Sequence, residues 1–533
     1  MSTSTPAVPA EISEKKINEL ITDEDVAQIM DRYHYNDDIK HNILSENLLP
    51  SGLLARLHNS YPQHSGIMES TEFMFTGKER YSGLRGFREI VSVLNANGID
   101  IGYIEQRELF INVYRFLATK HVLNKINWKN FAKDSLFQLV FPQPGMINPE
   151  LFEAYQKAEN EAAKEQLITD YIKQTNPHDG KQLLNKPWYE HEDGELEILK
   201  GSQHKYPQVQ LIFDASTQNC FSFCTYCFRH AQVRGDEDMF VQKDITQVVE
   251  YLRKHKEVTD ILITGGDAGY ITYDRLEAYM LPVIEDPELM HIKTLRLGTR
   301  VLTFHPEMIL KSEYNKFLKF FKKLNDNGLQ VVFMSHFSTP REVLNPSTIA
   351  AIRRLKNHGV VIKSQSPVMH HISLFSDENG VIDIDKSAQN WIDLGNVLST
   401  LSVGFHSMYC ARPTGEHHYF TVPLTIINQI FSKVYRSLPS IARPSRYITM
   451  TSSAGKISML GEVMVNGEKA FALKFNESRN MEWMDKVFLA KYDENENTIA
   501  KLKPLFGDKH FYEDELEKIE LSLDAALRKK MDA

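Results

Sequence analysis

Residues 209–230, VQLIFDASTQNCFSFCTYCFRH, decide how the rest of the chain is read. The run 209–213 is short and apolar, as a buried strand is. It leads into Cys220, Cys224 and Cys227, a Cys-x3-Cys-x2-Cys spacing, and the other cysteine among 533 residues is Cys410. A structural zinc site closes with four nitrogen or sulfur ligands. His230 could complete such a site. Otherwise three thiolates stand together, and three thiolates on a four-iron cluster leave one iron open to a small molecule.

The composition bounds the classes of function. A chain that is 42 % hydrophobic and 25 % charged is an ordinary globular one. A net charge of −9 and a pI near 6.1 argue against a nucleic acid partner. No run of 18 apolar residues exists, so no membrane span is expected. The start, MSTSTPAVPAEISEKK, lacks the layout of a signal peptide. Four cysteines in so long a chain make no disulfide framework, and a cytoplasmic location is expected.

The pattern divides the chain into a Ser/Thr/Pro-rich tail, 1–12; a mostly helical region closing in a linker, 13–195; a core, 196–425; and a C-terminal region, 426–533. The stretch 151–174 carries apolar residues at helical spacing among charges, and 176–195 reads as the linker. The core is α/β. Strands are expected at 209–213, 260–263, 294–297, 330–334, 359–363 and 401–405, with amphipathic helices between them. In NPSTIAAIRRLKNHG, Asn345 suits the N-cap, Pro346 the first helical position and Gly359 the C′ position. Six strand-then-helix units imply a parallel sheet with right-handed crossovers, whose ligands gather at the carboxyl ends of the strands. The cysteine loop falls at such an end. The second strand runs into Gly265-Gly266-Asp267, where glycines admit close approach and a carboxylate can accept from an ammonium group.

The cysteine spacing resembles the cluster loop of the radical S-adenosylmethionine (SAM) enzymes. The wider series is KYP (205–207), Cys-Phe-Arg (227–229), ILITGGDA, LRLGTRV, MSHFSTPREV, SQSPVM, YCARPTGEHHYFTVP and SSAGK. Over about residues 120–460 it resembles the lysine 2,3-aminomutase family, which includes glutamate 2,3-aminomutases. The resemblance implies a partial (β/α)6 barrel with N- and C-terminal extensions. It also implies a 4Fe–4S cluster on Cys220, Cys224 and Cys227, SAM, and pyridoxal 5′-phosphate (PLP). The activity implied is an intramolecular amino-group transfer giving a β-amino acid. An electron donor such as flavodoxin or ferredoxin is the implied partner, with a homo-oligomer as a further expectation.

By the same resemblance, Gly265, Gly266 and Asp267 stand where the family's Gly-Gly-Glu-type motif holds the amine of SAM. Lys456 matches the lysine that carries PLP as a Schiff base, Gln365 a glutamine beside both cofactors, and Arg229 the arginine for the substrate carboxylate. Lys205 stands where the family has an arginine near the PLP phosphate, and a second arginine a few residues on has no counterpart. Lysine-specific members clamp the distal ammonium with two aspartates. The matching residues here are Arg412 and Thr449, which implies an acidic or neutral substrate rather than lysine. A PLP-free radical enzyme and a zinc- or cluster-stabilised interaction protein are the alternatives.

Overall fold

The computed structural model describes residues 21–68, 74–175, 183–191, 193–230, 240–413 and 415–531. The tail at 1–12 lies outside them. Two small pairs come first: β1 (Arg80–Ser82) with β2 (Leu117–Thr119), and β3 (Trp188–Glu190) with β4 (Leu196–Ile198). The main sheet then runs through β5 (Ser202–Tyr206), β6 (Val209–Phe213), β7 (Asp260–Thr264), β8 (Thr294–Thr299), β9 (Gln330–Ser335), β10 (Val361–Val368), β11 (Gly404–Cys410), β12 (Ile448–Thr451), β13 (Gly455–Val465), β14 (Glu468–Ser478) and β15 (Val487–Lys491). These strands lie side by side in chain order. From β6 to β12 neighbours are parallel, and β5 and β13–β15 are antiparallel additions at the two edges.

Each parallel step is bridged by helix, as the pattern predicts. Asn345 caps the helix Pro346–Asn357 by accepting from Thr348 N (3.0 Å), and Gly359 takes φ +81° just beyond it. The first four expected strands fall in place. The last two lie further along, at β10 and β11, because Gly359 and the left-handed Ser402 (φ +52°) hold the preceding residues in turns.

The helical pattern over 151–174 is two helices, Pro149–Lys157 and Glu161–Thr175, since Ala158 turns to an extended conformation. Two expectations are corrected. The linker expected over 176–195 carries β3 and the turn into β4. The boundary at 425/426 cuts the helix Leu424–Ser437, the last crossover of the parallel sheet.

The N-terminal helices share one hydrophobic core with the sheet, from Ile29 and Phe87 to Leu295 and Phe471. Arg354, 1 % exposed, ties them together: it donates to Glu46 Oε1 (2.9 Å), Ile309 O and Asn315 Oδ1. Removing one partner of such a hydrogen-bonded buried ion is strongly destabilising, because the other charge is left unpaired. The sheet curls until edge strand β5 meets the turn between β12 and β13, where Lys205 Nζ donates to Ser452 O.

Candidate active site

The cysteine loop is pinned at its start. Asp214, at the end of β6, accepts from Ser216 N (2.8 Å) and Tyr279 OH (2.9 Å) and pairs with Arg275 Nη2 (2.6 Å). The following turn packs on the Gly265-Gly266 backbone: Gly266 N and Asp267 N donate to Thr217 O at 2.8 and 3.1 Å. Gly265 sits at φ +146°, and a Cβ on Gly266 would lie 2.6 Å from Asn219 O and 3.0 Å from Cys220 Sγ. These glycines therefore admit the cysteine loop itself. Asp267 is buried, and protein donors reach both of its oxygens: Gly269 N (2.7 Å) and Thr299 Oγ1 (2.5 Å) on Oδ1, Arg300 N (2.9 Å) on Oδ2. Burial pushes its carboxyl up to about 6.

The three thiols are half-buried. Burial and their mutual charges raise Cys220 well above the ordinary thiol range, and burial with the Cys224 charge pushes Cys227 up to about 12. Buried thiols that raise one another in this way call for a cation to be held as thiolates. Among the described residues, His204, His255 and Glu257 are a group whose ligand atoms all lie within 4.8 Å of one another. His230 turns its ring edge-on to Tyr114, centroids 5.0 Å apart. Cys410 is buried at the end of β11.

Cations gather on the other side of the interior. Arg229 Nη1 donates to Thr264 Oγ1 (2.6 Å), and its guanidinium lies 4.8 Å from the Phe213 ring and 5.1 Å from Phe228. Arg412 packs on Phe228 at 4.7 Å. Burial and the Arg412 charge bring Arg229 down to about 10. Lys205 is 7 % exposed. Burial and the charges of Arg479, Arg412 and Lys456 hold its amine well below the ordinary lysine range.

Lys456 opens β13, with Nζ 2.6 Å from Glu477 Oε2 and 5.3 Å from the Tyr206 ring. Burial works to lower it, but Tyr409, Glu477 and Tyr206 hold it above its ordinary value. Arg479, next along the chain from β14, donates to Ser453 O (2.8 Å) and Leu184 O (3.1 Å) and so fixes the turn before Lys456. Gln365 lies at a bulge in β10; its Oε1 accepts from Tyr409 OH (3.3 Å), and His336 Nε2 is 3.5 Å from its Nε2. Thr449 is buried in β12 beside Ser458 (3.2 Å).

The structure thus brings the predicted Lys205, Arg229, Gln365, Arg412 and Lys456 to one interior, with the cysteine loop and Asp267 at its other side. Sequence reasoning missed Tyr206, Thr299, Arg300, His336, Tyr409, Glu477 and Arg479. A signal for Glu477 exists. Asn466-Gly467 is a two-residue hairpin turn (φ +52° and +83°), and stepping back from it along both strands sets Glu477 opposite Lys456.

No protein-family model matches the chain. It is 27 % identical over 265 residues to the "Putative L-lysine 2,3-aminomutase" of Aquifex aeolicus, covering 50 % of this chain and 65 % of that protein. It is 32 % identical over 170 residues to the glutamate 2,3-aminomutase of Clostridioides difficile, covering 32 % and 37 %. Against the L-lysine 2,3-aminomutase of Clostridium subterminale the identity is 27 % over 183 residues, 34 % and 40 % of the two chains. The chain spans less than two thirds of the length of these relatives. The motif resemblance to the lysine 2,3-aminomutase family is borne out by these similarities.

Proposed function

We propose that this protein is a radical SAM, PLP-dependent amino acid 2,3-aminomutase with the partial-barrel core of that family, acting on an acidic or neutral amino acid in preference to lysine. The observation that carries the reading is the meeting, in one interior, of a three-thiol loop, the Lys456–Glu477 pair and a group of buried cations. The thiol set suits a cluster because its sulfurs are buried and raise one another. The cation set suits a phosphorylated cofactor and a carboxylate substrate. Lys205, Arg229, Arg412 and Arg479 gather there, and the carboxylate of Glu477 already belongs to Lys456. When bound, cluster and SAM supply a radical that abstracts hydrogen, and PLP supplies the carbonyl that holds the substrate amine.

The chain's own groups do the rest. Arg229, anchored on Thr264 and flanked by two phenyl rings, offers a fixed fork to the substrate α-carboxylate. Arg412, packed on Phe228, faces a distal carboxylate and repels a distal ammonium. Glu477 Oε2, paired with Lys456 Nζ at 2.6 Å, is placed to take its proton when that amine must act as a nucleophile. Gln365, held by Tyr409, presents an amide between the two cofactor regions.

The test is incubation of anaerobically reconstituted protein with SAM, reductant, PLP and the twenty amino acids. A β-amino acid and a Schiff-base absorbance band are expected. Cleavage of SAM without the band, and without a β-amino acid, would leave a PLP-free radical enzyme instead.

A further inference from the structure

Both terminal nitrogens of the Arg300 guanidinium are committed to partners. The chain turns at the end of β8, where Arg300 N donates to Asp267 Oδ2 (2.9 Å) and sends the side chain back toward the cysteine loop. Nη1 donates to Cys224 Sγ (3.1 Å) and to Tyr226 OH (3.0 Å), which uses both of its hydrogens. Nη2 donates to Glu342 Oε1 (2.8 Å). Glu342 is fixed in turn, its Oε2 accepting from Ser338 N (2.5 Å) and Thr339 N (3.0 Å). Arg300 is 8 % and Glu342 3 % exposed, so water screens neither charge.

We propose that Arg300 sets the reduction potential of the metal centre on Cys220, Cys224 and Cys227, by a hydrogen bond to the Cys224 sulfur from a guanidinium whose charge Glu342 balances. This rests on the reading of the cysteine loop as a cluster site. When such a centre takes one electron from an external reductant, no bond is made or broken, but negative charge on its sulfurs rises. A cationic donor 3.1 Å from one sulfur stabilises that reduced state more than the oxidised one. Glu342, one guanidinium further away, opposes it. Arg300 and Glu342 should therefore move the potential in opposite directions, whereas a purely structural clamp would give no such sign.

The experiment is dithionite potentiometry, followed by electron paramagnetic resonance, on reconstituted full-length protein with iron content measured in parallel. The variants are E342Q, R300K and the double variant R300M/E342Q, which leaves no unpaired buried carboxylate. E342Q should shift the midpoint to less negative values. The double variant should shift it to more negative values, by about tenfold in the reduction equilibrium, which is about 59 mV for one electron. R300K, which keeps the charge but loses the fork, should fall between wild type and the double variant. Equal midpoints in all forms, or a shift of E342Q and the double variant in the same direction, would overturn the proposal. Absence of an iron–sulfur signal in the wild type would overturn both this proposal and the functional reading. The expected shifts without SAM cleavage would support the tuning role and overturn the aminomutase.

Discussion

At the ends of β7 and β8 the polar groups are paired with one another: Asp267 is filled by Gly269, Thr299 and Arg300, and Arg300 by Cys224, Tyr226 and Glu342. Between β5 and the β11–β13 region, charges of one sign crowd together: burial and the charges of Arg479, Arg412 and Lys456 depress Lys205, and Arg412 in turn faces Arg229, which burial also lowers. The first region holds its shape through the chain's own bonds. The second concentrates buried positive charge that anions would relieve. On the proposed function, the first side would fix a metal centre and the second would receive charged small molecules.

The sharpest way to break this contrast is at the thiols. Replacing Cys220, Cys224 or Cys227 by alanine should abolish iron retention, and replacing Cys410 should leave it intact; iron and sulfide assays decide. A C410A protein without iron would mean that the metal-holding side extends to β11. Next, borohydride reduction should trap PLP on Lys456, with the pyridoxyl peptide lost in K456A. A label on Lys205 instead would shift the receiving side toward β5.

Smaller in effect, R412D should lower kcat/KM for glutamate or aspartate by at least about tenfold, since a charge-assisted contact contributes about 1.5–3 kcal/mol, with much less change for alanine. A wild-type preference for lysine would show that Arg412 does not face the substrate. G266A should destabilise the fold by about 1–3 kcal/mol and lower iron occupancy, because the added carbon meets Asn219 O and Cys220 Sγ. Thermal unfolding and iron assays measure both effects.

The mildest test concerns the loop that carries Arg412. Glu416 accepts from Tyr114 OH (2.9 Å) and Tyr171 OH (2.8 Å), and burial pushes its carboxyl up to about 7. The folded protein thus binds this proton more tightly than the unfolded chain. That stability is fully present below the ordinary carboxyl range and fades as pH rises toward 7. E416Q should flatten the loss in urea denaturation between pH 4.5 and 7.5. An equally steep curve in E416Q would place the titrating group elsewhere.

The cysteine loop and its neighbours were legible because their chemistry is local: a ligand spacing and a glycine pair lie within a few residues of apolar strands. The carboxyl halves of β10 and β11 were not. Their residues Gln365, His406 and Tyr409 are polar because they line the interior, so the apolar signal stops before the strand does. Thr299 and Arg300 read as an ordinary strand end, and their importance comes from partners 32 to 76 positions away. Glu477 was within reach through the Asn466-Gly467 turn. Arg479 had no comparable signal, for its partners at 184 and 185 come from a segment with neither strand nor helix period.

The seam between Lys205 and Ser452 joins residues 247 positions apart. On a ribosome, Cys220, Cys224 and Cys227 emerge more than two hundred residues before the hairpin that carries Lys456. Contacts of such long sequence separation form late. The thiols are therefore made while the flank later closed by β12–β14 is still open. On the proposed function, order of synthesis would become order of loading: iron first, the phosphorylated cofactor only once the last sheet edge has docked.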